Sequence, residues 1–124
     1  MKKDKVILIV DDDLLHRKML SRILATQEYS VLTAKTGLEA IEIVKKRCPD
    51  LIILDYMMPD GDGVYVITML RSALETFTIP VIFLTAHSSQ KVREKVFSLS
   101  AAYVMEKPYD TNDLFEKVEE ILSR

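Results

Sequence analysis

Val6-Ile7-Leu8-Ile9-Val10-Asp11-Asp12-Asp13 is the stretch on which the fold turns. Five apolar residues without a polar break read as a strand covered on both faces, since a strand with one wet face alternates apolar with polar. The run stops abruptly in three carboxylates. A buried strand with an acidic tip is the unit from which the remainder of the chain can be read.

Working outward, short β-rich apolar runs alternate with longer segments of helical period. Leu14, Met19, Ile23 and Leu24 recur at roughly helical spacing, and Ser30 to Ala34 reads as a second strand. Leu38, Ile41 and Val44 mark a helix closed by Pro49, which disfavours helical geometry in the residue before it. Leu51 to Leu54 reads as a third strand. Val64 to Leu74 reads as a helix with Val64, Ile67, Met69, Leu70 and Leu74 as its apolar positions. Ile79 to Leu84 is a fourth strand, with Pro80 near its start, where a missing donor is tolerated. A helix over 89–99, a strand from Ala101 to Met105 and a last helix complete the order. Thr111 is the expected N-cap of that helix, and Leu114, Val118, Ile121 and Leu122 are its inner stripe. Five strand–helix units imply one α/β domain over 1–124, a parallel sheet with helices on both faces.

The totals agree with one compact domain. The chain has 124 residues, 48% of them hydrophobic and 29% charged, enough to bury a core and too apolar for disorder. Its 17 basic and 19 acidic residues leave a net charge of -2, which offers no basic surplus for nucleic acid or an anionic membrane. The apolar runs are too short to span a bilayer, and residues 1–5 carry no cleavage-site pattern. Cys48 is the single cysteine, so no internal disulfide forms, as suits a reducing, cytoplasmic setting. It reads as a buried or half-buried apolar residue.

In an open parallel sheet the binding crevice lies outside the carboxyl ends of the strands, where the strand order reverses. Asp11, Asp12 and Asp13 end the first strand, Asp55 the third, Thr85 the fourth, and Lys107 follows the fifth. One of the three consecutive aspartates, Asp13, is explained as a helix N-cap. The others are not. Two carboxylates about 4 Å apart repel by roughly 4 kcal/mol at an effective dielectric near 20. Raised pKa values or a bound cation must relieve that repulsion. A set of hard oxygens favours Mg²⁺. Asp55 leads into Tyr56-Met57-Met58-Pro59-Asp60-Gly61-Asp62-Gly63, whose glycines and proline allow a tight path beside the crevice. A carboxylate placed there can attack phosphorus to give an aspartyl-phosphate. Lys107 can pair with Asp55 or with a phosphoryl oxygen, and Thr85 can donate to another.

These residues resemble the receiver domain of bacterial response regulators and hybrid histidine kinases, over essentially the whole chain. The matching pieces are Ile7 to Asp13, Leu54-Asp55-Tyr56-Met57-Met58-Pro59 with Asp62-Gly63, Leu84-Thr85-Ala86, and Lys107-Pro108. Each piece is weak alone; together, in order and at the family's intervals, they are specific.

The resemblance implies a flavodoxin-like receiver fold with five parallel strands in the order 2-1-3-4-5. It implies that Asp55 is the phosphoacceptor. Mg²⁺ would be held by Asp12, Asp55 and the main-chain carbonyl of Met57, with Asp11 acting through a water. Thr85 and Lys107 would bind phosphoryl oxygens, next to a Lys107–Pro108 peptide that is often cis. The donor would be a phosphohistidine on a sensor histidine kinase or a histidine phosphotransfer protein. A rearranged surface around the fourth helix, fifth strand and fifth helix would then engage an effector or a second copy, the chain being otherwise monomeric. Such a domain is a signalling switch and not an enzyme in its own right.

Two positions depart from the family pattern. Val104 stands three residues before the lysine, where an aromatic is usual. Tyr103 comes one residue earlier, on the opposite face by strand alternation. Ser100 replaces a common glycine. Met57 and His87 fall where the family flanks the attacking water, and their bulk implies a phosphoryl group lasting minutes or longer. His16 is expected on the exposed side of the first helix, and neither it nor His87 is expected to ligate metal or carry phosphate. Two rival readings remain. One is a phosphohydrolase using the D-x-D of Asp11 and Asp13, which would lack a cap domain. The other is a receiver-like interaction module that is never phosphorylated.

Overall fold

The computed structural model describes residues 4–56, 58, 62–86, 90–98 and 103–123. Strands and helices alternate strictly: β1 Val6–Val10, α1 Leu14–Ala25, β2 Ser30–Ala34, α2 Gly37–Lys46, β3 Leu51–Asp55, α3 Asp62–Arg71, β4 Val81–Thr85, α4 Gln90–Ser98, β5 Tyr103–Glu106 and α5 Thr111–Leu122. All four strand pairings are parallel, in the order β2-β1-β3-β4-β5. Every residue of β1, β3 and β4 is buried. Their unbroken apolar character follows from having helices on both sides.

Alternate residues feed two separate cores. Leu8, Val10, Ile52, Leu54 and Phe83 face Ile41, Val44, Ile67 and Leu70 of α2 and α3. Ile7, Ile9, Leu51, Ile53, Ile82 and Leu84 face Leu20 and Leu24 of α1 and Leu114, Val118 and Ile121 of α5. Each such side chain, fully covered, contributes about 1.5–3 kcal/mol of burial free energy. Together the two cores hold the strand tips in fixed register. No helix among the described residues is long and apolar enough to cross a membrane.

Several expectations need correction. Leu14, Met19, Leu38 and Leu74 are exposed, so the inner stripe of α1 runs through Leu20 and Leu24, and that of α2 through Ala40, Ile41 and Val44. Asp110, not Thr111, caps α5: its carboxylate accepts from the amides of Asn112 and Asp113. A carboxylate also suits the positive end of the helix dipole. Cys48 is exposed, because it sits on the turn between α2 and β3. Ser100, Ala101 and Ala102 lie outside the described residues.

Candidate functional site at the strand tips

Register brings the acidic residues together. Val10 pairs with Leu54 across β1 and β3, so Asp11 and Asp55 occupy the next rung of the same ladder. Asp55 pairs with Leu84 across β3 and β4, and Thr85 pairs with Glu106 across β4 and β5. The ladder runs on past the strands: the Lys107 amide donates to the Thr85 carbonyl at 2.7 Å. Five residues from four strands thereby share one rim.

Carboxylate oxygens of Asp11, Asp12 and Asp55 all lie within 4.8 Å of one another. Asp11 is 1% exposed and Asp55 8%, whereas Asp12 is open to solvent. Lys107 Nζ stands 3.3 Å from Asp55 Oδ2, an ion pair at the mouth of the site, and the Lys107–Pro108 peptide is cis. Thr85 is 1% exposed, at the tip of β4. Met57 and His87 lie outside the described residues, as do residues 59–61 of the loop after β3.

The far side of that loop returns very close to the site. A Cβ built on Gly63 would lie 2.9 Å from the Asp55 carbonyl oxygen and 3.0 Å from that of Tyr56. Real Cβ atoms do not approach backbone oxygen so closely, so only glycine lets the first turn of α3 pack against the end of β3. Tyr56 then lies edge-on to Phe83, with ring centroids 5.6 Å apart.

Asp13 caps α1, accepting from the amides of Leu15 and His16, as its position in the sequence leads one to expect. Asp11 is held from three directions. Its Oδ1 accepts from the Asp13 amide at 2.9 Å, its Oδ2 contacts His16 Nδ1, and its main-chain oxygen accepts from Arg17 Nη1 at 2.7 Å. Burial by itself would push the Asp11 carboxyl up. The hydrogen bonds from His16 and the Asp13 amide, with the positive charges of His16 and Lys107, outweigh it and hold the group below its ordinary value.

His16 corrects the expectation of an exposed ring. Side chains of a first helical turn lean back toward the helix N-terminus, which here is the acidic rim. The ring therefore folds onto Asp11, and its Nε2 lies 2.8 Å from the Tyr109 hydroxyl. Burial, and then the charge of Asp11, push the Tyr109 phenol up to about 12. His16, Arg17 and Tyr109 are the site residues that sequence reading missed. The usable signals were the three-residue step from the Asp13 cap to His16 and the place of Tyr109 directly after Lys107-Pro108.

The donor set fits a hard divalent cation, being three carboxylates with no thiolate. Such a site beside a buried carboxylate and a lysine is suited to handling phosphoryl groups. Residues 7–119 match the response regulator receiver domain.

The chain belongs to that family.

Response regulator MprA of Mycobacterium leprae is 37% identical over 118 residues, covering 95% of this chain and 51% of that protein. The receiver thus spans about half the length of the curated relatives it matches. A putative response regulator from Chloroflexus aurantiacus superposes with a TM-score of 0.90 at 32% identity, covering 97% of this chain and 98% of that one. The signal receiver domain of a histidine kinase from Syntrophus aciditrophicus gives 0.88 at 32%, covering 96% and 90%. Receivers of this family act in phosphorylation-dependent signalling and typically bind Mg²⁺ at an acidic cluster.

Proposed function

We propose that residues 1–124 form a single receiver domain that accepts a phosphoryl group on Asp55 from a phosphohistidine of a sensor kinase or phosphotransfer protein. The supporting observation is the gathering of Asp11, Asp12 and Asp55 within 4.8 Å, with Lys107 Nζ 3.3 Å from Asp55. An Asp55 oxygen bonds to phosphorus as the P–N bond breaks, its electron pair staying on the donor's imidazole nitrogen. Asp12, Asp55 and the Met57 carbonyl would hold Mg²⁺, with Asp11 acting through a water. The cation, when bound, offsets the negative charge that two anions bring together.

Lys107 exchanges its Asp55 partner for a phosphoryl oxygen, and Thr85 donates to a second one. Phosphorylation adds about -1.5 to -2 charge at the tip of β3. Drawing Thr85 inward alters the groove lined by Arg93, Tyr103, Val104, Lys117 and Glu120 along α4, β5 and α5. That groove is where an effector or a second copy would read the switch, in the cytoplasm. Tyr103 and Val104 lie on opposite faces of β5. The Tyr103 ring lies under Lys117 Nζ of α5, 4.1 Å from the centroid, while Val104 packs into the opposite core. A second reading, a receiver-like module that is never phosphorylated, rests on Val104.

Incubation with acetyl phosphate and Mg²⁺, followed by intact mass, separates the two. The expected result is one phosphoryl adduct, lost in Asp55→Asn and absent when EDTA replaces Mg²⁺. An unmodified mass under conditions that phosphorylate another receiver would establish the second reading.

A further inference from the structure

Asp11 is oriented by a chain of contacts that begins near the other end of the sequence. Tyr109 follows Lys107-Pro108, 93 residues from His16 in sequence, and its hydroxyl lies 2.8 Å from His16 Nε2. The two rings meet edge-on, with centroids 5.8 Å apart and planes at 87°. The other ring nitrogen, Nδ1, contacts Asp11 Oδ2. An ionised carboxylate can only accept, so the imidazole presents its Nδ1–H to Asp11, while Tyr109 holds the ring at Nε2. The opposite carboxylate oxygen is fixed by the Asp13 amide at 2.9 Å. Both oxygens of Asp11 thus carry a directed hydrogen bond while the group still lies within 4.8 Å of Asp12 and Asp55. Each carboxylate oxygen has two lone-pair sites, so one remains on each oxygen for a further ligand.

We propose that His16, held by Tyr109, is a positioning residue for the divalent cation: it fixes the Asp11 carboxylate in the orientation in which it serves the cluster. This rests on the reading of that cluster as a cation site. The logic is that of outer partners at metal sites generally, which orient the oxygen donors and typically change metal affinity by about 10-fold to 100-fold when removed. His16 would act through Asp11 and not on the phosphoryl group. Its effect belongs on cation affinity and not on the chemistry at a saturating cation concentration.

The test is calorimetric titration of the full chain with MgCl₂ alone, alongside thermal unfolding of each variant. His16→Phe is expected to weaken Mg²⁺ binding about 10-fold or more. His16→Asn keeps an N–H near the Nδ1 position and is expected to restore most of the affinity. Tyr109→Phe is expected to lose less than His16→Phe. At saturating Mg²⁺ the rate of phosphorylation by acetyl phosphate should converge across the series. Unchanged or tighter Mg²⁺ binding in His16→Phe overturns the proposal, as does an equal loss in His16→Asn with an unchanged melting temperature. Absence of Mg²⁺ binding by the unaltered chain instead removes the cation reading on which the proposal stands.

Discussion

Lys107 Nζ lies 3.3 Å from Asp55 Oδ2, so the lysine that follows β5 and the carboxylate at the tip of β3 offset one another's charge. The lysine side chain is 28% exposed, and the pair is partly screened by water. Two consequences of opposite sign follow from removing it.

Lys107→Ala removes the positive charge that stands beside Asp55. It should lower stability in EDTA by about 1 kcal/mol, the upper end for a partly exposed pair. The same change removes a charge that repels an incoming cation, so Mg²⁺ affinity should rise several-fold. Urea unfolding in EDTA and calorimetric titration check the two halves. A variant both weaker in Mg²⁺ binding and unchanged in stability contradicts the electrostatic picture.

Gly63→Ala places a methyl group 2.9 Å from the Asp55 carbonyl oxygen. Overpacking against a rigid backbone costs about 1–3 kcal/mol, and the strain falls on Asp55, the proposed phosphoacceptor. The expected outcome is a lower urea midpoint with weaker Mg²⁺ binding. Serine should behave like alanine, and a wild-type response in both would show that α3 can retreat without disturbing β3.

Alkaline titration followed by tyrosinate absorbance should be staggered. Burial and the Asp11 charge push Tyr109 up to about 12, and burial with Glu119 raises Tyr29. A phenol whose folded value exceeds its unfolded value contributes stability that is complete below pH 10.0 and is lost as pH climbs toward about 12. Tyr109→Phe should therefore delete the latest step of the absorbance curve. Its alkaline unfolding limb should also become shallower between those limits.

Cys48 should react readily with a thiol reagent, because it is exposed on the turn before β3. That turn lies at the amino-terminal edge of the sheet, away from Asp55 at the tip of the same strand. Labelling should leave Mg²⁺ binding and phosphorylation unchanged. Slow labelling by mass spectrometry would show that the turn covers the sulfur.

Most of the fold was readable because β1, β3 and β4 are unbroken apolar runs, with a polar residue ending β3 and β4 and directly following β1. The order of strands came from resemblance, since alternation dictates parallel pairing but not which strands are neighbours. Helix faces were less legible. Leu14, Met19, Leu38 and Leu74 have the right residue type and spacing, yet they lie exposed. Which helical stripe is buried depends on where the sheet lies, and a linear pattern does not carry that. The site divided the same way. Asp11, Asp12, Asp55, Thr85 and Lys107 were found from strand tips and motif intervals, but the His16–Tyr109 contact joins residues 93 apart and exists only through the tertiary fold.

That contact has a bearing on how the molecule comes into being. Bringing residue 16 to residue 109 closes a loop of most of the chain, and closure entropy rises with the logarithm of the loop. Contacts of such long range are rewarded only after shorter ones have formed. A nascent chain emerging as far as β4 would already carry its three acidic side chains on neighbouring strand ends, but with no Tyr109 to hold His16 against Asp11 and no lysine beside Asp55. The receiver's chemistry is thus among the last features to mature as the chain folds.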